Sequence, residues 1–306
     1  MKEKVFIDLI KKTLEPSYIG DDCAYLADLG IVVTQDNLVE DVHFLRNLIT
    51  PYQLGYKSVA VNISDICASG AEPKYLTIAL SLPDDADEKF IEQFYKGAKE
   101  AAGEAKIVGG DITGADKVFI SVTAIGSTKG RTISSRNNAK IGQKVVIAGN
   151  HGSSAVGLKL LQGEKIPNLT ETEKEELISS HLMPKAQLDF SKIISTKEKT
   201  PYAMMDTSDG LADAFVTIAE ESGVLLDIDF EKIQRVKPLE KLENYENLIL
   251  YGGEDYGLVA TVDNAEGLNV IGEVKQGKGV KINYKNSSEI LSKSSLEEHL
   301  FKHFKE

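Results

Sequence analysis

Six aspartates stand where apolar segments give way to small residues, and carboxylates placed in that way can hold cations. Asp22 follows Ile19-Gly20-Asp21, and Asp36 closes the run Ile31-Val32-Val33-Thr34-Gln35. Asp65 lies within Ser58–Pro73, SVAVNISDICASGAEP, as the one charge between Lys57 and Glu72. Asp111 follows Val108-Gly109-Gly110, and Asp206 and Asp209 flank Thr207-Ser208. Bringing these groups together without counter-ions costs on the order of several kcal/mol in repulsion and desolvation. Divalent cations would remove that cost. Magnesium suits the set best, because it takes a few carboxylates, keeps waters and shares phosphate oxygens. Calcium asks for a compact loop of alternating acids, and zinc for HExxH, CxxC or paired histidines; the sequence has neither. The other reading of Asp65 is an internal hydrogen-bond network along the stripe Ser58, Asn62, Asp65, Ser69, whose +4, +3, +4 spacing puts it on one helix face.

The sequence lacks the GxxxxGK[ST] lysine loop and the kinase VAIK and HRD segments. Phosphoryl charge would therefore be stabilised mainly through metals, and the residues point to metal-assisted phosphoryl transfer without naming an acceptor. The turn GNHGSSAVG, residues 149–157, is similar to a phosphate cradle but is a weak signal alone. Arg136, in the basic segment GRTISSRNNAKIGQ, reads equally as a phosphate contact or as part of a solvated linker. His43 is either a substrate contact or structural.

The elements that must position these residues follow from pattern and punctuation. Thr50, Pro51 and Gly70 bound a helix that is apolar or small nearly all round, hence buried. Amphipathic helices are expected over 1–14 and 84–104, and further helices after Gly152, over 170–181, 184–195 and 294–304. Strands are expected over 31–36, 75–82, 106–111, 118–127, 144–148, into Asp206, and near 224–228, 247–250, 270–274 and 280–284. The segment Gly130–Gln143 is the expected boundary between domains 1–137 and 138–306.

The 306 residues carry a net charge of -12, which argues against nonspecific nucleic-acid binding. Two cysteines, Cys23 and Cys67, make neither a disulfide framework nor a zinc site. Without a signal peptide or a membrane-length apolar run, a cytoplasmic location is expected.

Six segments, IGDDCA, TQDNLVEDVHF, VNISDICASGAEP, VGGDIT, DTSDGLAD and GGEDYGL, run in order from residue 19 to about residue 262. Together they resemble the thiamine-monophosphate kinases of the aminoimidazole-ribonucleotide-synthetase-like superfamily. The resemblance implies an N-terminal α+β domain whose strands form a barrel with a second subunit in a homodimer, and a C-terminal α/β domain. It implies transfer of the ATP γ-phosphoryl group to thiamine monophosphate with several Mg2+ ions, and no general base. Asp22, Asp36, Asp65, Asp111, Asp206 and Asp209 match the family's metal ligands, with Thr34 as an auxiliary one. Tyr95, Gly110, Asp111, Arg136 and Ser208 match nucleotide contacts, and His43, Glu254 and Phe301 substrate contacts. Gln35 stands where the family has a hydroxyl residue, so that ligand would have to be a backbone oxygen. Asp41 replaces a usual glycine, and CASGA a commoner AAMGA. Selenophosphate synthetases would need a reactive Cys and Lys near the N-terminus, and hydrogenase-maturation members a C-terminal cysteine where this chain reads HLFKHFKE. Aminoimidazole ribonucleotide synthetase remains an alternative, as does a non-catalytic nucleotide or metal binder.

Overall fold

The structure is a computed structural model that describes residues 2–14 and 18–296. The first half runs α1 (Lys2–Leu14), β1 (Ala24–Leu26), β2 (Ile31–Val39), α2 (Pro51–Ala68), β3 (Glu72–Leu82), α3 (Glu88–Ala102), β4 (Lys106–Gly114) and β5 (Phe119–Ser127). The second half runs β6 (Lys144–Ala148), α4 (Ser153–Leu161), α5 (Glu171–Leu182), α6 (Leu188–Lys197), β7 (Met204–Asp206), α7 (Leu211–Ser222) and β8 (Leu225–Asp229). It ends with α8 (Tyr245–Tyr251), β9 (Leu258–Val262), β10 (Val270–Lys275), β11 (Gly279–Asn283), β12 (Ser288–Leu291) and α9 (Lys293–Leu296). Among the described residues no helix is long and apolar enough to cross a membrane.

The strands form two sheets, ordered β1-β2-β5-β3-β4 and β12-β11-β8-β10-β6-β9-β7. The first does not close: β1 and β4 are its edges, and β4 is exposed along nearly its whole length. A barrel is therefore not a property of the single chain. Helix α2 packs on one face of this sheet, against Val32, Leu76, Ile78, Leu80, Ile120 and Val122, all buried. The same apolar cluster continues into Met204, Leu258 and Ala260 of the second sheet, so α2 sits where the two halves meet. Every residue of β9 is buried: Leu258 and Ala260 join the cluster that contains α2, while Val259 joins the cluster under α7 on the opposite side. This is the pattern of a strand covered on both faces.

The sequence signals around α2 describe its ends. Thr50 accepts from Gln53 N and its own N–H donates to Gln53 Oε1, a reciprocal cap. Pro51 occupies the first turn, and Gly70 takes φ 79° beyond the last. Helix α3 crosses α2 where both carry glycine. A Cβ on Gly55 would fall 1.9 Å from Phe94 O, and one on Gly97 1.8 Å from Tyr52 O. Only the absent side chains allow the backbones to come so close.

One expected strand is a helix. Residues 247–250 form part of α8, whose Ile249 and Leu250 are buried. A short apolar run between polar flanks has no period that separates strand from helix. The strand β12, hairpinned onto β11, was not expected; its Ser-Glu start hides the pattern. Helix α9 is described only to Leu296, and Phe301 lies outside the described residues.

Candidate active site

A cavity of about 1290 Å³ opens between the two halves. Its lining includes Asp22, Thr34, Gln35, Asp36, His43, Asp65, Arg136, Ser208, Asp209 and Glu254 from the sequence expectations. Carboxylate oxygens of Asp22, Asp65 and Asp206 all lie within 4.8 Å of one another. Three distant segments deliver them: the turn before β1, the last turn of α2 and the end of β7.

Each acid is held from behind. Thr34 Oγ1 donates to Asp65 Oδ2 at 2.6 Å. Ser64 Oγ donates to Asp206 Oδ2 at 2.7 Å, and Ser208 Oγ and N–H donate to Asp206 Oδ1. Thr207 is locked in turn, its N–H donating to Gly257 O and its Oγ1 accepting from Gly257 N. Arg136 Nη2 donates to Asp22 Oδ1 at 2.7 Å, while Asp21 accepts from Arg136 N and Ser135 Oγ. The segment Gly130–Gln143 is thus tied to the first acidic turn by its arginine. The polar stripe of α2 divides between its two readings. Ser58 and Asn62 are satisfied internally, Asn62 bridging Ser58 O to Asp36 N, whereas Asp65 joins the acids.

Burial dominates the electrostatics. It pushes Asp22 up to about 7 against the pull of Arg136, with Asp206 adding to the rise. Asp36 rises to about 6 through burial and then the charges of Asp206 and Asp209. Asp65 goes well above the carboxylate range through burial and the negative charge of Asp36, Asp206 and Asp22. Carboxyls held toward their neutral forms by burial, and then by one another, are ones a cation would ionise. An all-oxygen donor set of this kind fits a hard divalent ion.

His43 lies in the turn after β2, and its Nδ1 accepts from Val39 N at 3.0 Å. The ring proton of the neutral form therefore sits on Nε2. Glu254 is in the left-handed region at φ 60°, as is Tyr256 at φ 50°; side-chain-bearing residues rarely accept this conformation. The same wall carries three residues that sequence reasoning missed: Lys57, His181 and Ser154. Lys57 Nζ lies 3.0 Å from Glu254 Oε1, and His181 Nδ1 lies 3.4 Å from Glu254 Oε2. Ser64, behind Asp206, was also missed. A lysine, a serine and a histidine on helices read as surface until packing is known.

Three expected residues lie elsewhere. Cross-strand pairing aligns Asp36 with Val122, Ile78 and Gly110, and aligns Asn37 with Ser121, Ala79 and Asp111. Side chains alternate faces along a strand. Asp111 therefore sits on the sheet face opposite Asp36, and three strand spacings, about 14 Å, away. Gly110 shares that exposed edge; a Cβ there would fall 1.7 Å from Ile78 O. Tyr95 borders a separate groove with Lys99, Gly103 and Val108. Gln35 turns to the outer face, where it accepts from Thr123 Oγ1. The turn before α4 holds no phosphate cradle: Asp255 accepts from Gly152 N and Ser154 N, at 2.6 and 2.9 Å, so the chain's own carboxylate fills it.

Comparison with known proteins bears on this geometry. Residues 20–128 match the AIR synthase related protein, N-terminal domain, family. The chain is 38% identical to a thiamine-monophosphate kinase of Aquifex aeolicus over 91% of its own length and 93% of that protein. It is also 38% identical to one of Bacillus subtilis, over 81% and 78% of the two chains. A solved structure described as AaThiL complexed with AMPPCP and TMP superposes with a TM-score of 0.85 at 36% identity, covering 98% of this chain and 96% of that one.

Proposed function

The chain belongs to the thiamine-monophosphate kinase family, and from that premise we propose that it transfers the γ-phosphoryl group of ATP to thiamine monophosphate, yielding thiamine diphosphate and ADP. The observation that carries this reading is the convergence of the buried Asp206 with Asp22 and Asp65, which line the cavity that His43 and Glu254 also line. Magnesium bound there would neutralise phosphate charge; Asp22, Thr34, Asp36, Asp65, Asp206 and Asp209, with Gln35 through its backbone oxygen alone, are the residues proposed to hold several such ions. Arg136 and Ser208 would contact the nucleotide, and His43 and Glu254 the acceptor.

No side chain is assigned the role of base. The acceptor phosphate oxygen is ionised above a second pKa of about 6. His43 offers its Nε2–H as a donor, since Nδ1 is engaged by Val39. In-line transfer would then depend on position and charge neutralisation.

A homodimer is part of the reading. The long, exposed edge β4 carries Val108 and Ile112, apolar and more than half exposed, and an open edge of that kind invites pairing. Asp111, Gly110 and Tyr95 lie too far from the acids to serve the site of their own chain. We assign them to the site of a second subunit, related by C2 symmetry, whose sheet would complete a shared barrel. Residues 1–137 would supply that barrel and residues 138–306 the second domain.

The direct test is incubation of the protein with ATP, magnesium and thiamine monophosphate, with product analysis. Equal amounts of thiamine diphosphate and ADP are expected. ADP formed without thiamine diphosphate would overturn the assignment of the acceptor.

A further inference from the structure

Helix α2 carries a second polar group into the cavity besides Asp65. Lys57, Val61 and Asp65 all line it, at positions i, i+4 and i+8, so they form one stripe. Eight residues of helix separate Lys57 from Asp65 by about 12 Å along the axis. The Asp65 end meets Asp22 and Asp206. The Lys57 end meets Glu254 at 3.0 Å, and beyond it His181, whose Nδ1 is also 3.0 Å from Ser154 Oγ. The Lys57 side chain is 1% exposed, against 31% for Glu254. The ammonium is therefore behind the carboxylate, and the carboxylate is what the cavity meets.

Burial works to raise Glu254, but Lys57 and then His181 hold it below its ordinary value, with His43 assisting. Burial, then Lys57, lowers His181 to about 4, so that ring is neutral at pH 7. A buried lysine needs a partner to be tolerated, and Glu254, 3.0 Å away, supplies one. The left-handed backbone at Glu254 fixes the approach from its own side.

We propose that Lys57 is a specificity-determining positioning residue, which aims the Glu254 carboxylate into the cavity from two turns of α2 before Asp65, where it accepts hydrogen bonds from the end of the acceptor remote from its phosphate. This rests on the kinase reading above. In thiamine monophosphate the group at that end is the aminopyrimidine, whose amino N–H bonds suit a carboxylate. An acceptor bearing a carbonyl oxygen in that place would face the carboxylate with a second acceptor and be rejected.

The experiment compares thiamine monophosphate with oxythiamine monophosphate, in which a carbonyl oxygen replaces the pyrimidine amino group. Turnover of thiamine monophosphate by the wild-type protein is measured first; its absence would count against the kinase reading and not against Lys57. The wild type should prefer thiamine monophosphate in kcat/KM by at least about tenfold, and a Lys57→Met variant by less than about threefold. Lys57→Met should raise KM for thiamine monophosphate about tenfold while KM for ATP stays within about twofold, and Lys57→Arg should restore most of the loss. If Lys57→Met fails to fold, Lys57→Met with Glu254→Gln removes both buried charges and should show the same loss of preference. A wild type indifferent to the amino group overturns the proposal. So does a Lys57→Met protein that melts earlier yet keeps its preference and its KM.

Discussion

Asp65 shows how a fold can work against the charge that a residue's proposed role requires. Its carboxyl is driven upward by burial and by Asp36, Asp206 and Asp22, and Thr34 donates to one of its oxygens. Asparagine keeps the shape and still accepts from Thr34. Asp65→Asn should therefore fold, with a melting temperature in magnesium-free buffer within about 3 °C of the wild type. Activity should fall by at least about a hundredfold. Magnesium at a hundred times its Kd should stabilise the wild type by about 2.7 kcal/mol and the variant by much less. Near wild-type turnover in Asp65→Asn would remove Asp65 from the proposed ligands. His43 gives a second test. With Nδ1 taken by Val39 N–H, the ring can donate but holds no second lone pair for a proton. His43→Ala should raise KM for thiamine monophosphate more than KM for ATP. The wild-type kcat should be nearly flat between about pH 7 and 9, above the phosphate pKa of about 6. A steep rise over that range, abolished in His43→Gln, would instead indicate general-base catalysis. The acids were legible because each ends an element beside small residues. Lys57 and His181 were not, because nothing in a local window tells a buried lysine from one at the surface.

At the scale of elements, α2 was readable end to end, because caps and punctuation act locally: Thr50 with Gln53, Pro51 and Gly70 each mark a backbone event within a few residues. The α2–α3 crossing was not readable. It depends on Gly55 and Gly97 meeting across 42 positions of sequence, and a lone glycine in a helical pattern signals only a weak helix former. The structure gives these two residues a purpose that can be tested. Gly97→Ala would place a Cβ 1.8 Å from Tyr52 O, against backbone that cannot swing aside. The helices must separate, at a cost of about 2–3 kcal/mol. Gly114→Ala, where a Cβ meets nothing within 4 Å in its own chain, is the comparison and should cost far less. Thermal or urea unfolding of the two variants reads the difference. Equal stability would mean that α3 can slide without loss and that the crossing is not fixed by the glycines.

At the scale of the whole molecule, β2 to β5 of the N-terminal sheet could be read from the sequence, but the short β1 and the order of the strands could not. Pairing β2 to β5 to β3 to β4 is a long-range outcome, and it alone decides that Asp36 faces α2 while Asp111 faces away. An acid that matches a ligand motif yet lies on the wrong face and three strands off is at odds with a site built from one chain. It agrees with a site finished by another. In a C2 dimer each site would join Asp22, Asp65 and Asp206 of one subunit to the partner's Asp111. Light scattering at micromolar concentration should then give twice the chain mass. Asp65→Asn and Asp111→Asn homodimers should both be inactive, since each lacks one acid in both sites. In a mixed dimer the two defects fall in the same site and leave the other whole. Co-expressed in equal amounts with random pairing, half the dimers are mixed and half of their sites intact, so about a quarter of wild-type activity should return. No recovery, with mixed dimers confirmed by tagged purification, would mean that Asp111 does not serve the partner's site, and an active Asp111→Asn homodimer would place it outside the active site altogether.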